Sequence, residues 1–199
     1  TVRVVYDVEK DVEARRAMDA TIEGLAVYEQ WYGPYGRGLY PRLTVVIVPS
    51  GAGGAGGMEY PTLFTVGASG SAGPRCYRML EAETVHELGH QWFQTMVATN
   101  EAEAPWLDEG FTEYSTTRAM GALYEGGVFS CGGWSLTYLD AQHLAYTLSP
   151  DIPMAGKAWM LDPYSVATYS KPAVALSNLQ RRMGDAAMDD FLRTYVDRY

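Results

Sequence analysis

The sequence contains only two cysteines and three histidines among its 199 residues. Cys76 and Cys131 are far apart in the chain, and neither belongs to a Cys-x-x-Cys pair. Two such cysteines are too few for the disulfide framework of a small secreted scaffold, and their spacing excludes a cysteine-rich zinc motif. We therefore expect two free thiols buried in the protein.

The sequence also lacks a cluster of basic residues and a long apolar run. It has 15 Lys and Arg against 24 Asp and Glu, a formal net charge of −9, which argues against a nucleic-acid partner. No apolar stretch approaches the roughly 20 residues of a membrane helix, so we expect no membrane segment. The chain begins at Thr1 without Met or a signal peptide, and we interpret it as a piece of a larger protein whose flanking domains are missing. Both a cytoplasmic and a cell-envelope location fit these features.

The hydrophobic content of 47% is enough for a substantial core. The order of patterns predicts an α+β fold, with a few strands followed mostly by helices. We expect one domain over residues 1–199, with a β-rich part at 1–74 and a helical part at 75–199. The predicted strands lie at 1–6, 43–48 and 62–67, and the predicted helices at 7–32, 75–98, 106–124, 130–148, 172–182 and 185–199.

Two of the three histidines, His86 and His90, are four residues apart. On a helix this spacing places both rings on one face, about 40° apart and one turn apart in height. Two neutral imidazoles at that separation can share a Zn²⁺ with metal–nitrogen distances of about 2.0–2.1 Å. Glu87 lies on the flank of that face, where it can act as general base toward an attacking water without binding the metal.

A hydrolytic zinc site needs a third protein ligand, and Glu109 is the candidate. It follows His90 by nineteen positions, in the first turn of another predicted helix. The competing interpretation is a chance His-Glu-x-x-His match on a buried amphipathic helix, which the nearby Glu109 segment disfavours. The sequence therefore predicts one Zn²⁺ per chain, bound by His86, His90 and Glu109.

Glu113 lies one helical turn after Glu109. A carboxylate there could accept a hydrogen bond from a ligand imidazole and fix its tautomer, although a surface acid is an equally good interpretation. His143 has no potential ligand four residues away, so we expect a structural or surface histidine.

The stretch at residues 50–57 is almost entirely Gly, Ala and Ser. It lacks the Gly-Lys-Ser/Thr ending of a phosphate loop. A flexible loop is the simpler interpretation, but glycines after a buried strand can also bring backbone groups close to a ligand. Gly56, Gly57 and Met58 are the candidate contacts, and Glu59 beside them is either a carboxylate on the rim of the site or a solvated loop acid.

Four segments in this order resemble the aminopeptidase N family of zinc metallopeptidases, the gluzincins that include the leukotriene hydrolases. They are Gly57–Glu59, Val85–Phe93, Trp106–Phe111 and Tyr169–Lys171. The resemblance implies a thermolysin-like catalytic domain, in which a small mixed sheet lies beside a helical lobe. It also implies a preceding β domain and further helices in the parent protein.

The resemblance also implies a role for individual residues. His86, His90 and Glu109 would be the zinc ligands and Glu87 the base, while Glu59 would bind the free α-amino group of the substrate. The hydroxyl of Tyr169 would donate to the oxyanion of the tetrahedral intermediate. The glycines before Met58 would pair with the substrate backbone.

The chain departs from the family pattern at two positions. Tyr60 stands where the family usually has Asn after the Gly-x-Met-Glu segment, and Pro172 replaces the usual Gly after Tyr-x-Lys. The first departure bears on the recognition of the substrate N-terminus, and neither touches the predicted zinc ligands.

These features predict a zinc-dependent aminopeptidase acting on peptides with a free N-terminus. One alternative is a zinc endopeptidase with the same three ligands, which Glu59 argues against. Another is a non-catalytic zinc-binding interaction domain. A closed zinc site would support the latter, but no further Cys or His is suitably spaced to be a fourth ligand.

Overall fold

The computed structural model describes residues 1–49, 51–52, 56–67, 73–125 and 127–199. The helices in these ranges are α1 (Asp11–Tyr32), α2 (Met79–Gly89), α3 (Phe111–Leu123), α4 (Tyr138–Thr147), α5 (Lys171–Met183) and α6 (Asp185–Arg198). The strands are β1 (Val2–Val5), β2 (Leu43–Ile47), β3 (Met58–Tyr60), β4 (Leu63–Val66), β5 (Phe129–Cys131) and β6 (Trp134–Leu136).

The first four strands form one small mixed sheet in the order β1-β2-β4-β3. β1, β2 and β4 are parallel, while β3 runs antiparallel to β4 and pairs Glu59 with Phe64. Within the described residues, β3 is therefore an edge strand of this sheet. The mixed sheet followed by a mainly helical part confirms the predicted α+β class.

One face of the sheet is buried, and buried side chains therefore alternate with more exposed ones along its strands. Leu43, Val45 and Ile47 of β2 are buried, as are Phe64 and Val66 of β4. β-branched and aromatic side chains at every second position cover this face, which is the pattern of a half-buried strand. α1 packs against β1, β2 and α2, so the sheet and the helical lobe share one core.

Aromatic rings fill the centre of the helical lobe. Tyr28 of α1 lies 5.5 Å from Trp92 and 5.7 Å from Tyr32, measured between ring centroids. Tyr32 contacts Phe93 at 5.1 Å, and Phe93 stacks on Phe111 at 5.6 Å. This chain of contacts ties α1 to the segments on either side of the histidine pair, since offset and edge-on aromatic pairs stabilise a core beyond the area they bury.

A buried ion pair fixes the segment that leads into α2. The guanidinium of Arg16 on α1 donates two hydrogen bonds of 2.7 Å to the carboxylate of Glu81 on α2. It also donates to the carbonyl oxygens of Tyr77 and Gly73. Removing one partner of such a buried pair typically costs about 3–5 kcal/mol, so this contact holds α2 in its place against α1.

The prediction of two free thiols is wrong. Cys76 and Cys131 form a disulfide with their Cα atoms 5.4 Å apart. Backbone pairing brings them together, because the N–H of Ser130 donates to the carbonyl of Cys76 and the N–H of Arg78 to that of Val128. The disulfide joins two segments that are distant in sequence, and no local pattern in either segment predicts it.

The helix predicted over residues 130–148 is also wrong in its first part. β5 and β6 form a hairpin around Gly132 and Gly133, whose positive φ angles of 59° and 82° suit a tight turn. α4 begins only after Thr137, whose side chain accepts from the N–H of Asp140 in a reciprocal capping box. Turn and cap signals therefore override the apolar spacing that suggested one continuous helix.

The predicted helix that carries the two histidines and the predicted helix that carries Glu109 are both shorter than expected. α2 ends at Gly89, and the backbone continues through turns. In these turns the backbone N–H of Thr95 donates to the carbonyl oxygen of His90, and the N–H of Val97 donates to that of Trp92. The helix predicted from residue 106 begins as a π-helical turn, Trp106–Gly110, and becomes α3 at Phe111. Among the described residues, no helix has both the length and the apolar character needed to cross a membrane.

Candidate metal centre

His86 and His90 project from the end of α2 toward the π-helical turn that carries Glu109. The Nε2 atoms of the two histidines are 3.2 Å apart, and each lies 3.1 Å from Oε2 of Glu109. Four ligands around a tetrahedral zinc at about 2.0–2.1 Å would be separated by about 3.3–3.4 Å from one another. Two nitrogens and one oxygen at this spacing therefore fit three ligands of a zinc ion.

Electrostatic coupling among the three groups supports the same interpretation. Burial alone would lower the pKa of His86, but hydrogen bonds to Glu109 and Glu113 outweigh it and raise that pKa to about 10. Burial would raise the pKa of Glu109, yet the two histidines hold it well below its usual value. The Glu109 carboxylate is thus kept ionised and the histidines hold protons beside it, as in a cluster that releases protons when it binds a metal.

Each histidine has a carboxylate on its other ring nitrogen. Oε2 of Glu113 lies 2.8 Å from Nδ1 of His86, and Oδ1 of Asp108 lies 2.8 Å from Nδ1 of His90. These contacts place the Nδ1 hydrogen toward the carboxylate and leave Nε2 free to bind a metal. Glu113 occupies the position proposed from its spacing, whereas Asp108 was missed, although it directly precedes the predicted ligand.

Glu87 lies close enough to His86, His90 and Glu109 for their charges to act on its carboxyl group. Its Oε2 is buried and has no hydrogen-bond partner among the described residues. Burial raises the pKa of this carboxyl to about 7, against the opposing effect of the two histidines. An unpaired carboxylate oxygen with a pKa near neutrality has the properties of a general base.

Gly57 packs directly against the Glu87 side chain. A Cβ at position 57 would overlap Oε1 of Glu87 and lie 2.6 Å from its Cδ. Only glycine can therefore occupy this position without displacing the carboxylate. Gly56 lies beside it and is exposed, while residues 50 and 53–55 of the predicted glycine-rich stretch lie outside the described residues.

Met58 and Glu59 begin the edge strand β3. A carboxylate oxygen of the half-buried Glu59 lies within 4.8 Å of ligating atoms of His90 and Asp108. Burial raises the pKa of Glu59, with His90 opposing the rise. Within the described part of the chain Glu59 makes no ion pair with Lys or Arg, so a cationic group of a ligand would be its natural partner.

Two side chains near α2 hold the β3–β4 hairpin against the site. The carboxylate of Glu83 accepts from the backbone N–H of Gly67 at 2.8 Å and from that of Gly57. Gln91 donates to the carbonyl of Tyr60 at 3.1 Å and accepts from the N–H of Thr62 at 2.9 Å. The hairpin is thereby fixed at both ends, one turn before and one turn after Glu87.

Tyr169 lies in a second π-helical turn, Val166–Ser170, which precedes α5. Its hydroxyl donates to Oε1 of Glu109 at 2.6 Å, and its ring lies 5.8 Å from that of His86. Burial, together with the Glu109 charge, raises the pKa of this phenol, so it stays protonated as a hydrogen-bond donor. The predicted oxyanion donor is thus at the metal centre.

The two π-helical turns meet where the chain departs from the family pattern. A Cβ on Gly110 would lie 2.6 Å from Cβ of Pro172, so the proline packs on the bare backbone after Glu109. Pro172 is the second residue of α5 and directly follows the π-helical turn Val166–Ser170 and Lys171. His143, by contrast, does not belong to the ligand cluster, and its Nδ1 donates to the carbonyl oxygen of Leu139, four residues earlier.

The profile of the peptidase family M1 domain matches residues 16–199. The chain belongs to the M1 peptidase family. Human aminopeptidase RNPEPL1 is 30% identical to this M1 domain over 189 residues, covering 90% of the chain and 25% of that protein. Aminopeptidase B of Rattus norvegicus is 31% identical over 192 residues, covering 89% and 27%.

Solved structures share the fold of this M1 domain. The M1 zinc metallopeptidase from Deinococcus radiodurans superposes with a TM-score of 0.69 at 23% identity, over 99% of this chain and 40% of that one. Yeast LTA4 hydrolase gives a TM-score of 0.73 at 20% identity, over 98% and 31%. The M1 domain spans about a quarter of the length of the curated relatives it matches.

Proposed function

We propose that this M1 domain is the catalytic domain of a zinc-dependent aminopeptidase, with one zinc ion bound by His86, His90 and Glu109. The observation that carries the proposal is the convergence of three ligand atoms within 3.2 Å of one another, beside an unpaired buried oxygen of Glu87. The 30–31% identity to two proteins named aminopeptidases supports the reaction class. Peptides with a free N-terminus are the proposed substrates.

A zinc ion in this position would supply Lewis-acid chemistry, lowering the pKa of a water from about 15.7 toward about 7 and polarising the scissile carbonyl. Glu87 takes a proton from the attacking water at its unpaired Oε2 and delivers it to the leaving amine. Asp108 and Glu113 keep the Nδ1 hydrogens of the histidines in place throughout.

Tyr169 and Glu59 give the reaction its charge stabilisation and its specificity. In the reaction Tyr169 turns its one phenolic hydrogen from Oε1 of Glu109 to the oxygen that becomes negative during attack, a contact whose loss typically costs about 10²–10³ in rate. Glu59 binds the α-ammonium group, because it is a half-buried carboxylate without a basic side-chain partner in the described part of the chain. Gly56, Gly57 and Met58 present backbone groups of the sheet edge to the substrate.

Glu87→Gln tests the assignment of the base. We expect the variant to bind zinc stoichiometrically but to lose about 10²–10⁴ in kcat, because the amide has no lone pair of comparable basicity for the proton. Zinc content by elemental analysis and turnover of a peptide amide are the two measurements. Glu23→Gln, on the exposed side of α1, is the control. Wild-type turnover in Glu87→Gln would contradict the assignment.

A further inference from the structure

Gln142 lies on α4, outside every sequence motif of the site, yet its side chain joins two parts of the centre. Its Nε2 donates a short hydrogen bond to Oε1 of Glu113 on α3. Its Oε1 accepts from Oγ of Ser170 at 2.7 Å, in the turn that carries Tyr169. The amide of Gln142 thus links Glu113, which contacts the candidate ligand His86, to Ser170, which is next to Tyr169.

The donor and the acceptor of each hydrogen bond in the chain from Ser170 through Gln142 and Glu113 to His86 follow from the chemistry of the groups. A carboxylate oxygen of Glu113 accepts, so the amide turns its N–H₂ group toward it. The amide oxygen then faces Ser170, whose hydroxyl must donate. Oε2 of Glu113, 2.8 Å from Nδ1 of His86, requires a hydrogen on that nitrogen. When His86 binds a metal as a neutral imidazole, Nε2 is therefore the nitrogen that offers its lone pair, and this atom lies 3.1 Å from Oε2 of Glu109 and 3.2 Å from Nε2 of His90.

We infer that Gln142 is a positioning residue that sets the orientation of Glu113, and through it the metal-binding tautomer of His86, while anchoring the turn of Tyr169. This inference rests on the proposed function and deepens it. Gln142 touches neither the ligand atoms nor the reacting atoms. Glu113 is nearly inaccessible, with 3% of its side chain exposed, so water does not replace a lost amide donor freely.

Gln142→Glu and Gln142→Met test the link to the zinc ligand. The glutamate has the same size but cannot donate to Glu113 when ionised, and it places a second negative charge beside it. The methionine has a similar length and removes both hydrogen bonds. We expect either change to weaken zinc binding by about 10–100-fold, the usual effect of losing a partner of a metal-bound histidine. Zinc affinity is measured by competition with a chromophoric chelator.

Ser170→Ala tests the other end of the chain. It removes the hydroxyl that anchors the Tyr169 turn but leaves the bond between Gln142 and Glu113. We expect zinc affinity within about twofold of wild type and a kcat lower by about tenfold with little change in KM, since small misplacement of a catalytic group slows the chemical step. Unchanged kcat would overturn the anchoring of Tyr169.

Gln30→Glu on the exposed face of α1 is the matched control, because it adds the same charge far from the site. Wild-type zinc affinity in both Gln142 variants would overturn the inference, whether or not the protein is active. If the wild type binds zinc but cleaves no peptide, the proposed function fails, and weakened zinc binding in Gln142→Glu would still support the link. If neither Gln142 variant folds, the inference stands or falls on the kcat of Ser170→Ala.

Discussion

At the scale of single residues, the contact between Gly57 and Glu87 is the most constrained of the site. The glycine contributes no side chain, and the carboxylate fills the space that a Cβ would need. The edge of the sheet and the proposed general base are thus in direct contact. A side chain added at position 57 would first displace the carboxylate of Glu87.

Gly57→Ala should fold and bind zinc but lose turnover. The added methyl group must push the end of the flexible Glu87 side chain away, and a displacement of about 1 Å at a catalytic group can cost about 10²-fold in rate. Steady-state kinetics and thermal unfolding are the measurements. Gly121→Ala on α3 is the control, because a Cβ there meets no atom within 4 Å. Equal kcat in the two variants would show that Gly57 does not set the position of Glu87.

The candidate zinc ligands could be predicted from the sequence because the spacing of the two histidines determines their relative position on a helix. His86 and His90 share a face on any helix, and Glu87 follows from the same motif. Asp108, Glu83, Gln91 and Gln142 were not predicted. Each acts through a contact across the fold, and a single Asp, Glu or Gln has no local pattern that distinguishes a buried partner from a surface residue.

At the scale of elements, two π-helical turns carry the key side chains of the centre. Glu109 lies in the turn before α3 and Tyr169 in the turn before α5, and the two turns pack on each other at Gly110. The sequence predicted helices near both positions but not their π geometry. Such turns are common at functional sites and depend on tertiary contacts rather than on residue periodicity.

The β3–β4 hairpin is the second element on which the site depends, and α2 holds it at both ends. Glu83→Ala should release the N–H groups of Gly57 and Gly67 at one end. We expect KM for peptides to rise about tenfold, equivalent to about 1.4 kcal/mol, with a smaller change in kcat, because the strand that receives the substrate loses its register.

The control for this prediction is Glu125→Ala, an exposed acid beyond the end of α3. Gln91→Ala, which frees Tyr60 and Thr62 at the other end, should give the same KM effect. Retained zinc content would separate this effect from damage to the metal centre. Unchanged KM in both variants would mean that the hairpin keeps its place without these contacts.

At the scale of the whole molecule, the α+β class was predictable, and the pairing of segments that are distant in sequence was not. The alternating strands and the apolar helices gave the α+β arrangement correctly. The pairing of Cys76 with Cys131, and the hairpin of β5 and β6, depend on segments that meet only in the folded chain. The disulfide links the segment before α2 to this hairpin.

The central claim is that this M1 domain cleaves peptides by zinc-dependent chemistry and requires a free N-terminus. The most direct measurement is hydrolysis of one peptide amide in two forms, N-terminus free and N-acetylated, by the zinc-loaded protein and by Glu59→Ala. We predict that the wild type cleaves only the free form, and that Glu59→Ala loses activity toward it while retaining zinc. Equal cleavage of both forms by the wild type would contradict the account and indicate an endopeptidase.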